Sequence, residues 1–100
     1  MKQVLALAAT ESQLIALYNK LNDLQDGLGD QFDKDYRAAC LKLERFPEIA
    51  PRYEGRLRRL LLLKWHVGLF YAIEDGRVMI HAALDLRQAP SHIRRQLGLI

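Results

Sequence analysis

The chain has 100 residues, 50% of them hydrophobic and 27% charged, with 6 Gly, 3 Pro and a formal net charge of +3. That length supports one compact domain over residues 1–100, and that composition excludes disordered, fibrous and collagen-like classes. The single cysteine, Cys40, excludes a disulfide scaffold and a thiolate zinc site and fits a reducing compartment, so a cytoplasmic protein is expected.

Charge is unevenly spread. Residues 1–51 carry 6 Lys and Arg against 8 Asp and Glu, while residues 52–100 carry 9 against 4. A basic second half suits an anionic partner, either nucleic acid or an acidic protein, and equally describes a solvated basic surface. The apolar run after Met1 is too short for a signal peptide, and Leu60–Leu63 lies between Arg59 and Lys64, so no membrane span is expected.

Lys2–Leu7 reads as a short strand. Thr10 with Gln13 offers a capping box for a helix whose stripe is Leu14, Leu17, Tyr18, Leu21 and Leu24. Asp26-Gly27-Leu28-Gly29 breaks the pattern, and Asp30 is placed to cap a second helix with the stripe Phe32, Tyr36, Ala39, Cys40, Leu43 and Phe46, ended by Pro47. The two form an antiparallel hairpin that needs a further surface to cover its stripes. Leu57–Leu63, Trp65–Glu74 and Arg77–Leu84 then read as three strands, the last two joined by Asp75-Gly76 in a type I′ turn.

A two-residue turn pairs Glu74 with Arg77, Tyr71 with Ile80, Phe70 with His81 and His66 with Asp85. One face of the pair then carries Trp65, Val67, Leu69, Tyr71, Ile73, Val78, Ile80, Ala82 and Leu84, which the helix hairpin should cover. The other is mixed, with Lys64, His66, Gly68, Phe70, Ala72, Met79, His81, Ala83, Asp85 and Arg87 among its members. Ser91–Leu97 reads as a last short helix or a basic tail. The expected fold class is α+β, in the order β-α-α-β-β-β, with the helix hairpin on one face of a mainly antiparallel sheet.

Chemistry is sparse. His66 and His81 lie about 13 Å apart along the hairpin at roughly 3.3 Å per residue, too far to share a metal ion, so no metal is expected. His66 and Asp85, as cross-strand neighbours flanked by Lys64 and Arg87, form the one pair with acid–base or phosphate-binding potential, against a plain exposed sheet pair. Cys40 sits on an apolar stripe as a small hydrophobe, not a nucleophile. Phe70, Met79, Ala72 and Ala83 leave the mixed face apolar enough to need a cover.

In order and spacing, Tyr18, Gly27-Leu28-Gly29-Asp30-Gln31-Phe32, Leu43-Glu44-Arg45-Phe46-Pro47, Leu57-Arg58-Arg59-Leu60-Leu61-Leu62, Phe70-Tyr71 and Arg87 with Pro90 resemble the RelE/ParE family of bacterial type II toxin–antitoxin toxins. The resemblance covers nearly the whole chain. It implies a small cytoplasmic toxin, without a cofactor, held in a hetero-oligomer by a cognate antitoxin whose C-terminal segment wraps it. The charge balance makes that antitoxin acidic.

The family divides into ribonucleases that cut messenger RNA on the ribosome and ParE-like members that poison DNA gyrase without being enzymes. The ribonucleases place an Arg in the third strand, an Arg after the fourth and a Tyr or His in the C-terminal segment. Here those positions fall on Gly68, Arg87 and the neighbourhood of Ile93, with His92 adjacent. Asp85 stands where many members have a His. These departures favour the ParE-like branch, with Arg58, Arg59, Lys64, His66, Asp85 and Arg87 as the expected target-binding set. Phe70, Arg77, Met79 and His81 are the expected antitoxin-binding set. The alternatives are a ribosome-dependent endoribonuclease using Arg87 with His66, His81 or His92, and a degenerate member that only binds its antitoxin.

Overall fold

The computed structural model describes residues 1–100. Its elements are β1 (Val4–Ala6), α1 (Ala8–Leu24), α2 (Leu28–Arg45), β2 (Arg52–Glu54), β3 (Leu57–Leu62), β4 (Val67–Glu74), β5 (Arg77–Asp85) and α3 (Pro90–Gln96). The strands make one sheet in the order β1-β5-β4-β3-β2, with β1 parallel to β5 and every other pairing antiparallel. The helix hairpin covers one face, as its stripes require, and no helix is long and apolar enough to cross a membrane. The short edge strand β2 is an addition to the expected order, turned into β3 through Gly55 at φ 56.

Helix α1 starts at Ala8, ahead of the expected Thr10–Gln13 box, and those two side chains serve the sheet instead. Strand β1 ends at Ala6, which leaves the outer side of β5 beyond Ile80 with no strand partner. Buried backbone groups need partners, and α1 supplies them. The wholly buried Thr10 donates its hydroxyl to the Ile80 carbonyl at 2.8 Å, and the Gln13 Oε1 accepts from the Ala83 N–H at 2.9 Å.

Helix α2 likewise begins earlier than an Asp30 cap implies, because Gly27 takes the left-handed conformation at φ 88 and lets the chain reverse. Asp30 lies in the first turn and accepts the Tyr18 hydroxyl. Gly29 is required by close approach: a Cβ there would lie 2.5 Å from the Tyr18 carbonyl oxygen. Phe32 and Ala39 pack with Leu14, Leu17 and Leu21 on Val67, Leu69 and Ala83, and Leu43 packs on Tyr71, Val78 and Ile80. Phe46 and Leu24, at the ends of their stripes, are exposed.

The hairpin register holds from Glu74↔Arg77 to Tyr71↔Ile80, then breaks: Phe70 opposes Ala82, and His81 is the extra residue of a β-bulge. One inserted residue exchanges the two faces of every position after it. Ala82 and Leu84, expected under the helix hairpin, join Phe70 on the opposite face, while Ala83 moves under the helices. The face that needed a cover receives one from within the chain. Ile93 and Leu97 of the C-terminal segment, with Tyr53 and Leu86, pack on Phe70, Ala82 and Leu84. Helix α3 begins at Pro90 and closes through Leu99 N–H to Arg94 C=O and Gly98 N–H to Arg95 C=O, with Gly98 at φ 75, a Schellman ending.

Candidate functional site

The expected cluster of Lys64, His66, Asp85 and Arg87 does not assemble. Leu62 pairs with Val67, so Leu63–His66 is a four-residue connection made of a 3₁₀ turn and His66 in the left-handed region at φ 53. His66 is therefore outside β4, Asp85 opposes Val67, and the exposed imidazole makes no hydrogen bond. Lys64 turns to the helix side, with Nζ 3.2 Å from Gln31 Oε1 and 4.9 Å from the centre of the Trp65 ring. Trp65, expected on the strand, is docked on α2: its Nε1 donates to Asp35 Oδ2 at 2.8 Å, and its ring meets Phe32 edge-on at 5.7 Å.

What remains of the cluster is a fork. Arg87 donates from Nε to Asp85 Oδ1 and from Nη2 to Asp85 Oδ2, each at 3.1 Å, and its backbone N–H reaches Oδ1 at 2.8 Å. The Arg87 guanidinium holds the Asp85 carboxyl below its ordinary range, with Lys20 adding to the effect, and Asp85 in turn keeps Arg87 more firmly protonated. Arg87 thus meets a ligand as half of a neutral pair.

Gly68 lies under Leu86. A Cβ there would stand 2.8 Å from Leu86 Cδ2 and 3.1 Å from Phe70 Cε2. Arg58 and Arg59 do point to opposite faces. Arg58 donates from Nη1 to the carbonyls of Glu48 and Ala50 at 3.2 and 2.7 Å, holding the loop after α2, while Arg59 lies 5.3 Å from the centre of the Tyr53 ring. Tyr53, which sequence reasoning passed over, also packs edge-on against Phe70 at 5.0 Å. Its signal was a lone aromatic between charged residues, Arg52-Tyr53-Glu54.

Of the set expected to meet an antitoxin, Phe70 is wholly buried beneath Tyr53 and the C-terminal helix, which removes it from the surface. Arg77 is exposed beside the β4–β5 turn, and Met79 is half-buried opposite Ala72 and Leu5. The bulged His81 places Nε2 3.0 Å from Glu74 Oε2, with Arg56 Nη2 3.9 Å from the same oxygen. His81, Glu74 and Arg56, with Leu99 and Glu54, which pairs with Arg94, line a shallow groove of about 230 Å³ where the C-terminal segment meets the sheet. His92 is exposed on α3. No three His, Cys, Asp or Glu side chains converge closely enough to hold a metal ion. Cys40 is half-buried, and burial pushes its thiol above the ordinary range.

Among solved structures, a chain described as "Chromosomal ParDE TA system from P. aeruginosa" superposes with a TM-score of 0.66 at 14% identity, covering 87% of this chain and 98% of that one. The chain shares the fold of that ParDE chain. No protein-family model matches it, and no curated protein does.

Proposed function

We propose that the chain is the toxin of a type II toxin–antitoxin module, acting in the cytoplasm by binding a protein target such as DNA gyrase and neutralised by a cognate acidic antitoxin. The fold shared with a ParDE chain supports the toxin reading. The observation that carries the non-enzymatic branch is the state of the two positions where phosphate chemistry needs free cations. Gly68 supplies none and lies beneath Leu86, and Arg87 is held in a fork by Asp85. A scissile phosphate whose negative charge grows in the transition state would meet no uncompensated cation there. The basic second half of the chain supports an acidic antitoxin through charge complementarity.

A ribosome-dependent endoribonuclease is the second reading, supported by His81 beside Glu74 and Arg56, a His–carboxylate pair with a cation in an open groove. The test is induction of the chain alone in cells. Arrest of chromosome replication with messenger RNA left intact is expected. Cleavage within ribosome-bound codons, abolished by His81→Ala, would reverse the order. Growth unaffected by the folded chain, which still co-purifies with the product of the adjacent reading frame, would leave a degenerate antitoxin-binding member.

A further inference from the structure

Gly68 supplies no cation and Arg87 only a compensated one, but three arginines gather where the loop after α2 meets β2 and β3. Arg52, Arg56 and Arg58 line a hollow of about 240 Å³ together with Glu48 and Ile73. None of the three is spent in a close ion pair. Arg52 and Arg58 donate to backbone carbonyls, and Arg56, which also borders the groove beside His81, lies 3.9 Å from a Glu74 oxygen that His81 approaches to 3.0 Å. Glu48, the one carboxylate of the hollow, makes no ion pair. Three positive charges therefore face one negative.

A second hollow of about 330 Å³ adjoins the first, lined by Phe46, Pro47, Glu48 and Ile49. Its apolar walls stand open because the loop is tied down from beneath. The Tyr71 hydroxyl donates to the Pro47 carbonyl at 2.7 Å, Arg58 Nη1 donates to the carbonyls of Glu48 and Ala50, and Ala50 is itself buried. With its backbone held inward, the loop leaves Phe46 and Ile49 57% and 51% exposed. An aromatic ring on a pinned loop is a platform whose shape exists before any ligand arrives. Glu48 is common to both hollows, so the surface runs from apolar platform through carboxylate to arginines.

We propose that this surface binds a ribonucleoside polyphosphate. The base lies on Phe46 and Ile49, the ribose hydroxyls donate to the Glu48 carboxylate, and the phosphate chain is held by Arg52, Arg56 and the N–H groups of Arg58 that the loop carbonyls leave free. Each step has its chemistry: bases stack on aromatic rings whatever their identity, carboxylates take ribose hydroxyls, and guanidinium forks fit phosphate oxygens. Charge selects a free polyphosphate over a nucleic-acid strand. A strand brings one negative charge per nucleotide, spread along its length, whereas three arginines in one hollow match several charges at one spot. An acidic peptide would set its carboxylates beside Glu48 and leave the platform without a planar partner.

The test titrates the chain, labelled with nitrogen-15, with ATP, dATP, AMP, inorganic triphosphate and a short single-stranded RNA. Millimolar ATP is expected to shift the amide signals of Phe46, Glu48, Ile49, Arg52 and Arg56, with AMP and inorganic triphosphate each bound about tenfold more weakly and dATP bound more weakly than ATP. Phe46→Ser should weaken ATP about tenfold and leave inorganic triphosphate unchanged, while Arg52→Ala weakens both; each site is exposed, so the melting temperature should be kept. Glu48→Ala should abolish the preference for ATP over dATP. No shift at millimolar ATP, inorganic triphosphate bound as tightly as ATP, or shifts centred on Arg77, Arg94 and Arg95 would each overturn the proposal. RNA bound more tightly than ATP at the same amides would overturn it in favour of a nucleic-acid surface, and a preference for ATP over dATP that survives Glu48→Ala would overturn the ribose contact.

Discussion

Ile93 is the anchor of the C-terminal helix, 5% exposed and set among Phe70, Ala82 and Leu84. A helix of seven residues cannot sustain itself in water, so α3 stands by its packing and not by its own hydrogen bonds. Ile93→Ala removes the central side chain of that contact. Truncating a buried isoleucine costs about 2–5 kcal/mol, and because a short terminal helix can settle into the space, the lower half of that range applies, about 2–3 kcal/mol. At about 4–8 °C per kcal/mol for a domain of this size, the melting temperature should fall by about 8–24 °C. Urea titration gives the stability, and hydrogen exchange separates two routes to the same loss. If α3 unfolds together with the sheet, exchange at Phe70 and Leu84 accelerates in step with the amides of Leu97 and Leu99. If α3 lifts alone, only the latter accelerate and a dye that binds apolar surface reports the uncovered face. A loss below about 1 kcal/mol with all four amides protected would refute the claim that packing holds this helix in place.

Thr10→Val keeps the volume of a buried side chain and removes its donor. The Ile80 carbonyl retains the Leu7 N–H at 3.1 Å, so the expected loss is about 1 kcal/mol by urea titration, and an unchanged midpoint would remove the hydroxyl from the account of how α1 is fixed. Asp85 sits below its ordinary range in the fold, so its stabilising effect is present above about pH 4 and lost as pH falls through the lowered value; the midpoint difference between Asp85→Asn and the parent chain should shrink as pH falls below about 4. A difference independent of pH would place its origin outside that ionisation. Burial raises the Cys40 thiol, so iodoacetamide at mildly alkaline pH should modify it more slowly in the folded chain than in urea. Equal rates would mean that the α2 face opens readily.

Periodicity made the helix hairpin legible, because Leu14, Leu17, Leu21, Phe32, Ala39 and Leu43 obey a helical spacing that survives any reasonable placement of the termini. The Asp75-Gly76 turn was legible for the same reason: its residues have few other uses, and Asp75 and Gly76 take φ of 52° and 74° as such a turn demands. The bulge at His81 was not. Its flanks Ile80 and Ala82 suit either face of a strand, so the pattern reads smoothly through the inserted residue, and every pairing from Phe70 onward was displaced. His66 was misplaced because its neighbours Trp65 and Val67 have strand propensity, whereas the decisive fact is tertiary: Trp65 finds Asp35 and Phe32 on α2. The loss of the Lys64–His66–Asp85–Arg87 cluster follows from these two displacements. The edge strand β2 was not legible either, since its three residues carry no periodic signal.

The parallel pairing of β1 with β5 ties Val4 to Val78 and Ala6 to Ile80, residues 74 apart in sequence. On the ribosome, Val4–Ala6 must therefore wait for Val78 and Ile80 to emerge. Helix α1 waits with them, since Thr10 and Gln13 are bonded to Ile80 and Ala83. Until β5 has left the exit tunnel, the α1 stripe lacks most of its floor, and pairings over such separations form slowly even then. A growing chain of this sequence therefore acquires its folded surfaces only once β5 has emerged, and no fragment that stops short of β5 presents them.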